Sequence, residues 1–394
     1  MREQKYSEVC PLKEVFITDV AAFLPNKPVT NDEIEKYLGV VNNISTQIKK
    51  IVLKSNAIDT RYYAIDPKTG EPSHTNAQIT AEAVRGLKPY DGFALDDIEC
   101  LCCGTTSPDQ LMPGHGLMVH GELKSSPCEV VSTTSACISG MTSMKYAYMN
   151  VALGLVKNAV ATGSEVMSAF MRAGFYDGVG QNKEVLLKKD EMLSFDSSFL
   201  RWMLSDGAGA VFLTSEKIPG RLALKIDWIE EVSFAGEYET CMYAGASKNE
   251  GGGMKGWLEY PSQLEAVRDG AFLVHQDIKL LSSNGGDVSV EKTLPLIIKK
   301  HGLDASQVDW LLPHYSSNYF RPVFYDHLKN FGFEIPYEKW FSNLSSKGNT
   351  GSASIYIILE ELFRSGRLKR GQKLLCFIPE SARFSTCYML LTVV

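Results

Sequence analysis

The chain has 394 residues, more than one simple core accommodates, which points to two domains or two packed halves. A net charge of −6, with 44% apolar and 22% charged residues, fits a soluble globular protein and argues against a dedicated nucleic-acid or membrane-surface protein. No run approaches the roughly 20 apolar residues of a spanning helix. The N-terminal MREQKYSEVCPLKE is polar and lacks an apolar signal core, so a cytoplasmic location is expected. The nine cysteines are odd in number and several lie inside apolar runs, so they read as buried thiols rather than disulfides. Cys100, Cys102 and Cys103 lack the spacing of a metal knuckle, and His115 and His120 do not share a helix face; no metal and no cofactor is expected.

Strand-length apolar runs alternate with helix-length patterns along the chain, the mark of an α/β fold. The helix-like ITAEAVRGL leads into LDDIECLCCGTTSPD, a short apolar strand and a polar turn. Next come the strand CEVVS, the turn TTSACISG, the helix GMTSMKYAYMNVALGL and the strand NAVATG. A stretch rich in Lys, Met and Phe, about residues 171–204, reads as an insertion capping the site or meeting a partner copy. SKNEGGGMK, Ser247 to Lys255, reads as a surface loop. The second half repeats the order: TLPLIIKKHGL before SQVDWLLPHYSSN, then KWFSNLS, SKGNTGS, ASIYIILEELF and KLLCFI. Two duplicated halves follow, residues 1–219 and 220–394, meeting at the Pro219–Gly220 turn. Cys137 and Asn349 fall at nearly equivalent places, each at the start of a helix.

Three residues carry chemistry. Cys137 follows a β-branched strand and precedes a helix whose only charge before Lys157 is Lys145, so that helix is buried. Its N-terminus favours an anion, which lowers a thiol pKa and makes a nucleophile; a buried structural cysteine is the alternative. Ser135, Ala136, Ser139 and Gly140 leave room for a substrate. His314 lies just past the apolar strand Trp310 to Pro313, where α/β proteins place functional groups, or is a satisfied structural histidine. Asn349 stands between Gly348 and Gly351 ahead of a helix, in a tight backbone approach or as a simple cap.

TSACISG before a buried helix, SDGAGAVFL, the Pro313–His314 pair and GNTGSAS occur in the order and spacing of β-ketoacyl-ACP synthase III, a group of the thiolase superfamily. The resemblance covers almost the whole chain. It implies the thiolase fold: an α-β-α-β-α stack of two mixed five-stranded sheets, with the two buried helices side by side at its centre. It implies an acyltransferase in which Cys137 carries the acyl group while His314 and Asn349 activate a malonyl- or β-ketoacyl-type thioester for Claisen condensation. The backbone N–H of Cys137 would help hold the oxyanion. It implies acyl carrier protein or acyl-CoA as donor, and a homodimer whose axis lies near Ala159 to Thr162.

Three departures mark this chain. Tyr315 replaces the usual Gln after the histidine. Ser381, Ala382 and Arg383 replace a glycine triplet, so that Glu380 and Arg383 are new polar groups near the site; Tyr315, Ser381 and Arg383 are pocket or oxyanion candidates. No adenine-gripping Trp is evident in KKIVLKSNAIDTRYYA, which favours a carrier protein over CoA. Lys49, Lys50, Lys54 and Arg61, interrupted by Asp59, then form the basic patch that an acidic carrier would need. The departures resemble a branch that closes cyclohexanedione rings, the precursors of dialkylresorcinols and stilbenes. A Cys-His-Asn thiol hydrolase and a non-catalytic subunit shaping an acyl chamber remain as alternatives.

Overall fold

Cys100 and Cys102 pack into one hydrophobic cluster, Leu101 and Cys103 into another. That is the two-residue period of a strand buried on both faces, and it sets the layering of the molecule. The computed structural model describes residues 12–41, 46–177, 179, 199–249 and 251–394. Among these residues the main sheet has nine strands, numbered in chain order. They are β1 (Phe16–Phe23), β2 (Cys100–Thr105), β3 (Glu129–Thr133), β4 (Asn158–Glu165), β5 (Gly207–Thr214), β6 (Leu224–Ser233), β7 (Trp310–Pro313), β8 (Lys373–Glu380) and β9 (Ser385–Val393). Their spatial order is β7-β8-β9-β6-β1-β5-β4-β2-β3.

The order is two copies of one pattern. On one side β2 pairs in parallel with β3 and β4, β4 runs antiparallel to β5, and β5 antiparallel to β1. On the other side β7 is parallel to β8, β8 antiparallel to β9, and β9 antiparallel to β6. The expected pair of five-stranded sheets needs correction. Among the described residues the second copy has four strands, and its fifth position shrinks to a single parallel bridge, Leu311 to Trp340. A 3₁₀ turn over Tyr337–Lys339 and a short helix over Leu344–Lys347 leave almost no extended chain there. The two sheets also join into one, because β1 meets β6 over Phe16–Lys225 and Ile17–Leu224.

Eight helices matter below: α1 (Thr46–Asn56), α2 (Asn76–Arg85), α3 (His115–Leu123), α4 (Ser139–Ala152), α5 (Ile278–Gly286), α6 (Leu294–His301), α7 (Phe320–Asn330) and α8 (Ser354–Arg364). α4 and α8 form the middle layer between the two sheets, where Met141, Met144, Ala147 and Val151 share one cluster with Ile355, Ile358, Leu359, Cys376 and Met389. α2 and α3 cover the far face of the first sheet, and α6 and α7 that of the second. The result is a five-layer α-β-α-β-α stack.

The two central helices touch at backbone distance. A Cβ on Gly140 would lie 2.4 Å from the Ser352 carbonyl oxygen, and one on Gly163 would lie 2.3 Å from the same oxygen. The Tyr356 hydroxyl donates to the Gly140 carbonyl at 2.6 Å. A Cβ on Gly209 of the SDGAGA motif would meet Tyr356 Cβ at 2.3 Å. Three glycines therefore sit where only hydrogen fits.

Ala159 to Thr162, expected near a dimer axis, offer no free strand edge. They belong to β4, whose backbone groups pair on both sides with β2 and β5. The free edge of the first sheet is β3. Of the expected cap over residues 171–204, residues 178 and 180–198 lie outside the described residues. On its flanks Met171, Leu200, Trp202 and Met203 are buried in the core. No helix among the described residues is long and apolar enough to cross a membrane.

Candidate active site

β3 ends at Thr133 and α4 begins at Ser139, so Cys137 sits in the tight turn between them. Ser139 N–H and Oγ both bond the Ala136 carbonyl, at 3.0 and 2.7 Å, and close that turn. Glu380, the last residue of β8, reaches across from the second half. Its Oε1 accepts from Ser135 Oγ at 2.6 Å and from the Ala136 N–H at 2.7 Å. The turn carrying the thiol is thus tied by one carboxylate to the other copy of the fold.

His314 follows β7, its N–H donating to the Phe377 carbonyl at 2.8 Å. Asn349 is held on both backbone sides: its N–H donates to Met203 O at 3.0 Å and its carbonyl accepts from Ser205 N at 2.8 Å. Its own side-chain oxygen accepts from the Gly351 N–H at 3.0 Å, which leaves the side-chain amide N–H groups as donors.

Cys137, His314, Tyr315, Glu380 and Ser381 line one cavity of ≈ 30 Å³. Cys137, Asn349, Glu165, Thr106 and Gln276 line a second, also of ≈ 30 Å³. Cys137, Leu281, Ser316 and Ser381 belong to both linings, so the thiol stands where the His314 space meets the Asn349 space. A third chamber of ≈ 290 Å³ has mostly apolar walls, including Met167, Phe170, Met242 and Val274, and shares Thr106, Ala136, Met167 and Met242 with the second.

Electrostatics reverse one expectation. The Cys137 thiol is not lowered: burial pushes it well above its ordinary value, and the Glu380 and Glu165 carboxylates push the same way. The macrodipole of α4 does not overcome burial of the thiol beside two acidic side chains. Burial drives His314 down to about 4, so its imidazole is neutral at pH 7.

The other sequence candidates scatter. Ser381 lines both cavities and its Oγ donates to Gln276 Oε1 at 3.2 Å. Arg383 does not line them; it is exposed at the β8–β9 turn and its Nε donates to the Tyr238 carbonyl at 3.2 Å. Arg61 is no surface residue at all, being fully buried with one nitrogen on Asn31 Oδ1 at 2.7 Å. Lys49 is paired with Glu35 at 2.6 Å. Lys50 and Lys54 remain exposed on α1.

Glu165 is the residue that sequence reading missed. It ends β4, as a functional carboxylate at the end of a parallel strand would, but here four donors occupy it. Thr106 N–H and Oγ1, and the Ser352 N–H, bond Oε1, and Ser107 Oγ bonds Oε2. Asp206 of SDGAGA is likewise structural. It accepts from the Ala64 N–H at 2.6 Å and from the N–H and Oγ of Ser168, and burial raises it to about 6. Among the described residues, no group of His, Cys, Asp and Glu is placed to hold a metal ion.

Residues 298–377 match the family profile of the 3-oxoacyl-[acyl-carrier-protein] synthase III C-terminal region. The chain is 24% identical over 361 residues to β-ketoacyl-[acyl-carrier-protein] synthase III of Xanthomonas oryzae pv. oryzae, covering 91% of this chain and 92% of that protein. Its fold is that of AbyA1, a tetronic acid condensing enzyme (TM-score 0.72, 20% identity, 96% and 99% covered). It is also that of a Xanthomonas campestris OleA variant with bound lauric acid and lauroyl-CoA (TM-score 0.71, 18% identity, 97% and 99% covered). Over nine tenths of its length the chain is thus similar to β-ketoacyl-[acyl-carrier-protein] synthase III, and its fold is that of the solved condensing enzymes.

Proposed function

We infer that the enzyme makes a carbon–carbon bond by Claisen condensation, with the acyl group carried on Cys137. The observation that carries this is the position of the thiol at the junction of the His314 and Asn349 cavities. Cys137 attacks an acyl thioester and releases the donor thiol, splitting one difficult step into two. The acyl chain extends toward the apolar chamber of Met167, Phe170 and Val274. A second thioester then enters. Its enolate oxygen takes hydrogen bonds from the neutral His314 imidazole and the Asn349 amide, which bring no competing acid. The Cys137 N–H and the Ser381 turn are the groups for the oxyanion formed at the acyl carbonyl.

Acyl carrier protein and acyl-CoA are both fitting donors; the OleA complex with lauroyl-CoA is a precedent for the latter. The two halves, 1–219 and 220–394, would contribute the nucleophile and the enolate donors respectively. A cytoplasmic homodimer joined at the β3 edge completes the reading, and sedimentation at micromolar concentration checks it.

The test separates the half-reactions. Cys137→Ala abolishes acyl loading, read as the mass gained from an acyl thioester. His314→Ala and Asn349→Ala still load, while condensation falls by about 10² to 10³, the loss for one oxyanion-type donor. An Asn349→Ala enzyme that condenses at the wild-type rate refutes the assignment, as does acyl mass mapped to another cysteine.

A further inference from the structure

The linings of the two reaction cavities hold two carboxylates, Glu165 and Glu380, and among the described residues no lysine or arginine. The two acids are not equivalent. Both oxygens of Glu165 are engaged, by four donors in all. Glu380 is 5% exposed, and both of its hydrogen bonds, from Ser135 and Ala136, fall on Oε1. Oε2 has no hydrogen-bond partner among the described residues, in a side chain that lines the cavity of Cys137 and His314. A carboxylate with one oxygen anchored and one unengaged is a positioned base.

That arrangement bears on the second substrate. A malonyl-type thioester brings its own carboxylate, which would enter a desolvated space whose described lining already holds two acidic side chains and no cation. A like charge there is strongly disfavoured. A β-ketoacyl thioester brings no such charge, and the carbon between its two carbonyls yields a proton to a carboxylate far more readily than that of a simple acyl thioester.

Building on the acyl-Cys137 reading above, we propose that Glu380 is the catalytic base of a condensation without decarboxylation, whose second substrate is a β-ketoacyl thioester lacking a free α-carboxylate. Glu380 Oε2 takes the α-proton, and the C–H electron pair moves to the thioester oxygen, held by His314 and Asn349. The enolate carbon then bonds the carbonyl carbon of acyl-Cys137. The C–S bond breaks as the tetrahedral adduct collapses, and the departing Cys137 thiolate recovers the proton from Glu380. No CO₂ forms and no further reactant is needed.

The experiment loads Cys137 from an acyl thioester, confirms the loading by mass, and then offers either a β-ketoacyl thioester or a malonyl thioester, reading product and CO₂. In the wild type the β-ketoacyl thioester is condensed at least about 10² faster than the malonyl one, and no CO₂ appears. Glu380→Gln keeps an acceptor for Ser135 and Ala136 but cannot take a proton. It still becomes acylated, while β-ketoacyl condensation falls by about 10² to 10⁴ and discrimination against malonyl narrows. Efficient malonyl condensation with CO₂ release by the wild type, or Glu380→Gln condensing at the wild-type rate, overturns the proposal while leaving acyl-Cys137 in place. Absence of any acyl-Cys137 in the wild type refutes instead the function on which the proposal rests.

Discussion

Gly163→Ala perturbs the active site without touching any residue that reacts. Gly163 lies in β4, and a Cβ there would meet the Ser352 carbonyl oxygen at 2.3 Å, its carbonyl carbon at 2.9 Å and Tyr356 Cδ2 at 3.0 Å. Two of these are backbone atoms, so no rotamer change relieves the clash. Reaching ordinary contact requires a shift of roughly 1 Å. Ser352 follows Asn349 by three residues and is pinned by its N–H to Glu165 Oε1 at 3.2 Å and by its Oγ to Ser164 O at 2.9 Å. Overpacking costs about 1–3 kcal/mol, and losing both pins costs about 1 kcal/mol each. The variant should lose about 3–5 kcal/mol, read as a lowered urea midpoint at unchanged slope. The Asn349 turn moves with Ser352. A misplacement of this size costs about 10² in rate, so condensation should fall by that factor, while acylation of Cys137 falls less. A Gly163→Ala enzyme within about 0.5 kcal/mol of wild type, condensing at full rate, would refute the claim that this contact sets the site.

Gly121 provides the opposite case: it is exposed within α3 and a Cβ there meets nothing within 4 Å. Gly121→Ala should raise stability by about 0.5–1 kcal/mol in the same titration. Charge reversal at Lys50 and Lys54 together should slow acyl transfer from an acidic carrier protein and spare a small soluble thioester; equal losses on both donors count against a docking role. His314 also predicts a pH dependence. Its folded pKa of about 4 lies below the ordinary 6.5, so as pH falls through that window the unfolded chain gains a proton that the native state refuses. Stability is lost over that interval, by about 1.4 kcal/mol per pH unit at its steepest. His314→Gln should therefore show a flatter stability profile between pH 6.5 and 4, and an unchanged slope would mean that the imidazole is protonated in the native state.

The three residues legible in the sequence share a property: each stands where one strong local pattern gives way to another. Cys137 lies between a β-branched strand and an apolar helix, His314 at the end of an apolar strand, and Asn349 between glycines ahead of a helix. Local pattern fixes such positions because backbone direction changes there. What was illegible depends on partners far along the chain. Arg61 reads as one more cation after Lys54, yet it is buried because Asn31, Ile58 and Trp202 close around its guanidinium. Arg383 sits beside pocket residues in sequence, but the β8–β9 turn aims it at Tyr238. Trp340 carries the pattern of a strand, yet only one bridge forms because a 3₁₀ turn precedes it and a helix follows.

The sign of the Cys137 shift shows the same limit in energetic form. A helix start contributes about half a charge, shared over a turn, whereas Glu380 and Glu165 are full carboxylates brought in by β8 and β4. Sequence proximity reveals the first effect and hides the second. The consequence is chemical. With the thiol raised and His314 neutral, the resting site stores no buried thiolate–imidazolium pair, whose desolvation would be costly. Attack by Cys137 must then be accompanied by proton transfer rather than preceded by it, the thiol proton leaving with the departing donor thiol. His314, at about 4, is a weak base but a good neutral donor. Glu380, already bonded to the turn that carries the thiol, acts in the second half-reaction, where its removal should separate α-proton transfer from hydrogen-bond donation.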